Sequence, residues 1–118
     1  MATTPSAVAA ARRAAEIAAE KQASDVLVLD LRPLHAFTDF FVLLTGTSPP
    51  HLNALAEELE KALGEAGRLP LHREGDAYSG WVVLDYGDMV VHLFLAEKRA
   101  YYRLEERWTG AVPRLILP

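Results

Sequence analysis

A single mixed α/β domain, with a five-stranded mixed sheet flanked by helices in the order α-β-β-α-β-β-β-α, is the fold this sequence predicts. Three observations predict it. Residues 81–95 read W-V-V-L-D-Y-G-D-M-V-V-H-L-F-L, two β-branched and aromatic runs on either side of a polar break that supplies Gly87 where a tight turn needs positive φ. Leu52, Leu55, Ala56, Leu59 and Leu63 recur at i, i+3, i+4, i+7 and i+11, the spacing of an amphipathic helix. The apolar share of 51% over 118 residues, without repeats or low-complexity linkers, suffices for one core.

Taken in order, residues 1–5 are expected to be a disordered lead. Ser6 is placed to cap a helix over 7–22, rich in alanine, the best helix former. Val8, Ala11, Ala15, Ala18 and Ile17 give this helix a thin apolar stripe. Residues 25–31 form a compact strand ended by Arg32-Pro33, and residues 38–45 form a second, stopped by Gly46. Ser48 then caps the central helix, with Pro49 and Pro50 in its first turn, where a missing N–H costs nothing, and Gly67 closes it. Residues 69–74 make a third strand, which Pro70 assigns to an edge or a strand start. Residues 75–80 are read as a flexible loop leading into the hairpin strands 81–85 and 89–95. Both are apolar on both faces and so expected to be covered on both sides. The last helix is expected over 96–108 with Tyr101, Leu104 and Trp108 on one face, and 109–118 as a C-terminal tail.

Several function classes are excluded or disfavoured. The absence of cysteine removes disulfides, thiolate nucleophiles and Cys-ligated metals. A net charge of −4 disfavours general binding to nucleic acid and would steer a basic protein partner inward. No apolar run is long enough to span a bilayer, and the acids Glu16 and Glu20 argue against a transit peptide, so a cytoplasmic protein is expected. His35, His51, His72 and His92 lack any metal-ligand spacing. His92 shares a strand face with Val90 and Phe94 and is read as a core histidine bonded to a neighbour.

Two constellations compete for a function. In the first, Asp39, Asp85 and Asp88 would hold Mg²⁺, and Gly46-Thr47-Ser48 before a helix N-terminus would cradle a triphosphate, as in a nucleotidyl-transfer enzyme. That turn is too short for a phosphate loop and lacks the following Lys, so capping is the better account. In the second, Trp81 and a Tyr86 expected at an exposed hairpin tip are interface anchors, with Asp85 and Asp88 meeting Lys or Arg on a partner. Trp81 has an alternative place under the last helix, against Leu104 or Trp108.

The ordered set Thr38-Asp39-Phe40-Phe41-Val42, Gly46-Thr47-Ser48 with His51, Trp81-Val82-Val83-Leu84-Asp85-Tyr86-Gly87-Asp88, Val90-Val91-His92 with Phe94, and Arg99 before Tyr102-Arg103-Leu104-Glu105 and Trp108 resembles the Iojap family of ribosomal silencing factors over roughly residues 9–108. Pro49-Pro50 and Arg107 depart from the family pattern. The resemblance implies a nucleotidyltransferase-like topology without catalysis, cofactor or metal. It also implies a partner, the large-subunit protein L-fourteen, where binding blocks joining of the small subunit and represses translation in starvation. Organellar relatives imply an alternative role in large-subunit assembly, and homodimers are also implied. Carried over, Trp81, Asp85, Tyr86, Gly87 and Asp88 are the expected partner-binding residues.

Overall fold

The computed structural model describes residues 6–118, so the lead expected over 1–5 lies outside the described residues. The Ser6 hydroxyl accepts a hydrogen bond from the Ala9 N–H at 3.3 Å and starts α1 (Ala7–Glu20). α1 buries Ala10, Ala11, Ala14, Ala15, Ile17 and Ala18, and its small side chains let it lie close on the sheet. Val8 falls outside that stripe and is 36% exposed.

Strand β1 (Ser24–Asp30) is followed by a 3₁₀ turn at Arg32–Leu34 and by β2 (Phe40–Gly46), which is buried throughout. Ser48 caps α2 (Pro49–Glu65) by accepting from the His51 N–H. Its other end closes as expected: Gly67 adopts φ +88°, and the Arg68 N–H donates to the Leu63 carbonyl at 2.8 Å. Then come β3 (His72–Asp76), β4 (Trp81–Asp85) and β5 (Met89–Leu95). The loop expected over 75–80 is instead the end of β3 and a 3₁₀ turn at Ala77–Ser79, which the Asp76 carboxylate caps from the Tyr78 and Ser79 N–H groups.

Two further expectations are corrected. The last helix breaks at Arg103, whose φ of +46° divides α3 (Ala96–Tyr102) from α4 (Leu104–Arg107). The C-terminal stretch is no tail: β6 (Val112–Leu117) pairs antiparallel with β1. The sheet therefore has six strands, ordered β3-β4-β5-β2-β1-β6, with β2 and β5 parallel and the other pairs antiparallel. Asp30, 1% exposed, fastens the added strand by accepting from both Arg32 and Arg114. The Arg32 hydrogen bond holds its carboxyl far below the usual carboxylate range, against the opposing effect of burial.

Alternation along the strands divides the core in two. Phe40, Val42, Leu44, Val82, Leu84, Val91 and Leu93 face α1 and α2, while Phe41, Leu43, Val90 and Phe94 face α3, α4 and the 3₁₀ turn. On the first face these central residues are all buried, while the edge strand β3 stays exposed. On the second, β5 is covered but alternate residues of β4 stay partly open, so the expected burial of both hairpin strands on both sides holds for β5 alone.

Gly75 illustrates how tightly the outer strand is held. A Cβ there would lie 2.1 Å from the Trp81 carbonyl oxygen, at a φ of +77°. Gly75→Ala is expected to destabilise the domain by about 3 kcal/mol, the combined order of a left-handed non-glycine and a backbone overlap. Urea denaturation measures the loss, and hydrogen exchange should show β3 losing protection before the central strands.

Candidate functional site

The open part of the second face is a cleft of about 560 Å³. Its floor is the outer row of the hairpin, Trp81, Val83 and Asp85 from β4 with Val90 and His92 from β5. Lys98 and Tyr102 of α3 form one wall, and Glu74, Gly75 and Phe37 contribute others. Phe37 is 72% exposed, an unusual position for a large aromatic side chain.

Trp81 anchors the floor. Its ring stacks on Phe94 with centroids 5.0 Å apart and tilts against Tyr102 at 4.6 Å. The indole Nε1–H donates to His92 Nδ1 at 3.2 Å. Trp81 therefore does pack under a C-terminal helix, but under α3 against Tyr102, while still lining the open cleft. Tyr102 takes the packing role expected of Tyr101, which is 76% exposed; Leu104 and Trp108 do pack on this face.

His92 is buried, with the Phe41 ring edge-on at 4.6 Å. Burial pushes its imidazole down to about 4, so the ring is neutral at neutral pH. An indole N–H only donates, so the facing Nδ1 must accept and the ring proton sits on Nε2. Nε2 has no hydrogen-bond partner among the described residues. The core histidine bonded to a neighbour is found as expected.

The other expected site residues divide by strand parity. Tyr86 is not at an exposed tip. Its N–H donates to the Met89 carbonyl at 2.8 Å, so only Gly87 and Asp88 form the loop, and the pleat sends Tyr86 to the α2 side. There it is 8% exposed, and burial, with Glu60 nearby, pushes its phenol up to about 12. Gly87 supplies the turn with φ +88°. Asp88 is gripped by both Arg68 nitrogens at 2.7 and 2.6 Å, bonds that hold its carboxyl below the usual range and tie the hairpin tip to the end of α2. Asp85 stays on the cleft side, with one oxygen accepting from the Gly87 N–H at 2.8 Å. The structure thus brings Trp81 and Asp85 together in the cleft, leaves Gly87 and Asp88 in the hairpin turn, and removes Tyr86 to the opposite face.

The nucleotidyl-transfer constellation does not assemble. Asp88 is occupied by Arg68, Asp85 by the turn, and no group of three or more His, Asp or Glu among the described residues could hold a metal ion. The Thr47 N–H donates to His51 Nδ1 at 3.0 Å, and Nε2 of that ring bonds the Lys21 carbonyl at 2.8 Å, so His51 fills the turn where a phosphate would sit. No helix among the described residues is long and apolar enough to cross a membrane.

Comparison with known proteins matches this architecture. The family model described as "Ribosomal silencing factor during starvation" matches residues 4–116. Ribosomal silencing factor RsfS of Halalkalibacterium halodurans is 38% identical over 92 residues, 78% of this chain and 79% of that protein. The mouse protein named "Mitochondrial assembly of ribosomal large subunit protein 1" is 37% identical over 93 residues, 76% of this chain and 41% of that protein. A crystal structure of a Chromobacterium violaceum protein superposes with a TM-score of 0.84 at 31% identity, covering 94% of this chain and 92% of that one. With nearly its whole length matched in sequence and its six-stranded fold matched in space, the chain belongs to the ribosomal silencing factor family.

Proposed function

We propose that this protein is a non-enzymatic repressor of translation that seats its β4–β5 cleft on the large-subunit protein L-fourteen and so keeps the small subunit from joining. The observation that carries the reading is the cleft itself, an aromatic and aliphatic floor around Trp81 with Glu74 and Asp85 against the single cation Lys98. An apolar centre with acidic neighbours suits a basic ribosomal protein: the aromatic floor supplies desolvated contact, and the carboxylates set register and on-rate. Family membership supports the ribosomal partner.

Co-sedimentation with isolated large subunits, followed by addition of small subunits, tests it. The protein is expected to pellet with large subunits and to lower the yield of joined ribosomes. Failure to pellet overturns the reading. Trp81→Ala is expected to weaken large-subunit binding by about 2 kcal/mol, the scale of a truncated aromatic anchor. Because Trp81 also packs on Phe94 and Tyr102, binding is to be compared below the variant's own melting transition. A second reading, large-subunit assembly, is favoured by the name of the mouse relative. It predicts binding to subunit precursors without any loss of subunit joining.

A further inference from the structure

We propose that Phe37 and Asp85 form one subsite of the cleft, built to receive a cationic side chain, arginine or lysine, from a basic protein loop. The Phe37 ring is the shelf over which the cation lies, and the Asp85 carboxylate is its counter-charge. This rests on the cleft-binding reading above and deepens it by naming the residue type that the cleft selects.

Phe37 and Asp85 both line the cleft, and the sheet register puts them at one end of it. Val90 pairs with Phe41 on one side and with Asp85 on the other, and the Phe37 ring lies 5.9 Å from that of Phe41. Phe37 is held before any partner arrives, tilted against both Phe41 and Trp108 at 5.9 Å, yet it keeps 72% of its surface in solvent. A large apolar side chain in that position gains when something covers it, and a preset ring loses little rotamer freedom on binding. Asp85 gives one oxygen to the Gly87 N–H; its other oxygen has no partner among the described residues and is not sealed off from solvent. The chain's own cations are engaged elsewhere. Arg32 lies over Phe40 at 4.9 Å and Lys98 over Tyr101 at 5.9 Å, and among the described residues none lies over Phe37. A cation is attracted to the face of an aromatic ring, most strongly where water is excluded, and a nearby carboxylate draws in the same group. The apolar stem of an arginine or lysine covers Phe37 while its charged head reaches toward Asp85. Glu74 of β3 adds to the negative field of the cleft, which repels nucleic-acid phosphates and leaves a basic protein loop as the occupant.

The test measures Kd by co-sedimentation with purified large subunits at neutral pH. It compares wild type, Phe37→Leu, Phe37→Trp, Asp85→Asn and the Phe37→Leu, Asp85→Asn double variant. Phe37→Leu keeps apolar bulk without a π face and is expected to raise Kd about tenfold, whereas Phe37→Trp keeps the face and stays within about threefold of wild type. Asp85→Asn keeps an acceptor for the Gly87 N–H but removes the charge, and is expected to raise Kd about tenfold. Because both residues hold the same side chain, the double variant is expected to lose about twentyfold, well short of the roughly hundredfold of two independent contacts. Phe37→Leu binding like wild type overturns the inference. Equal losses in the leucine and tryptophan variants overturn it too, since they would mark a contact of shape rather than charge. Losses that multiply in the double variant overturn the shared subsite. Wild type that fails to pellet refutes the cleft-binding reading and this inference with it, whereas wild type that pellets no better than Phe37→Leu refutes this inference alone. The Phe37 side chain is largely exposed, so its variants keep the fold, and their comparison decides the matter without Asp85→Asn if that variant does not fold.

Discussion

Phe41→Ala is expected to lower the unfolding free energy by about 4 kcal/mol, the range for emptying a buried aromatic site. Phe41 is 2% exposed on β2, and its ring is the hub of the second core face, with centroid distances of 4.6 Å to His92, 5.3 Å to Trp108 and 5.9 Å to Phe37. These partners come from β5, the segment after α4 and the connection before β2, and they converge from distant parts of the chain. The cavity left by alanine therefore cannot close by moving one element. For a domain of this size the melting temperature is expected to fall by roughly 20 °C, read by circular dichroism or calorimetry. Phe37→Ala is the matched control. It touches the same ring but is largely exposed, and its removal is expected to cost under about 1 kcal/mol. A Phe41→Ala variant as stable as that control would show that the aromatic cluster is not a core.

The second large effect is on acid stability, and it follows from His92. In the unfolded chain this imidazole takes up a proton below its ordinary value of 6.5, whereas the folded protein refuses it until about pH 4. Between those values the unfolded state binds more protons, so stability falls as pH falls. At about 1.4 kcal/mol per tenfold difference, the loss attributable to this one residue is about 3 kcal/mol across the window. It is complete near pH 4 and absent above 6.5. Asp30 and Asp88 act in a separate window. Their folded carboxyls are held below the ordinary value of 3.8, so the stability they contribute persists above that pH and is lost only below it. Urea denaturation between pH 7.5 and 4 should therefore show a decline that His92→Phe abolishes, while the loss that begins below 3.8, read by extending the series to lower pH, remains. A decline unchanged in that variant would assign it to another group.

The hairpin and central helix were legible because local chemistry and tertiary environment agree there. Both strand bounds at 81–85 and 89–95 follow from β-branched runs around one glycine, and Ser48 and Gly67 cap α2 as their residue types require. What was missed depends on parity or on space. Tyr86 looked exposed because the polar break was counted as a four-residue loop; the pleat runs one residue further, which reverses its face. Pro113 lies in the stretch expected to be a tail, yet it sits opposite Leu29 in an edge strand at a register shift, a position where the absent N–H is tolerated. Arg103 carries no turn signal, and its left-handed backbone moved the packing role from Tyr101 to Tyr102. Of the cleft residues, Trp81 and Asp85 were named from residue type and family resemblance, whereas Phe37, Glu74 and Lys98 join them only through the fold.

The pairing of β6 with β1 has a kinetic consequence. The carboxylate of Asp30 and the guanidinium that fastens β6 to it stand 84 residues apart, so the sheet closes through one of the longest loops the chain can form. Contacts of such separation reward the chain only after its closure entropy has been met, which slows folding. During synthesis β1 is made well before β6, leaving one edge of β1 unpaired until residues 112–117 emerge. A nascent or truncated chain ending before Val112 presents that edge, rich in valine and leucine, as a template for pairing with another chain. The last strand therefore serves as a cover for an aggregation-prone edge, and its loss should appear first as insolubility during expression.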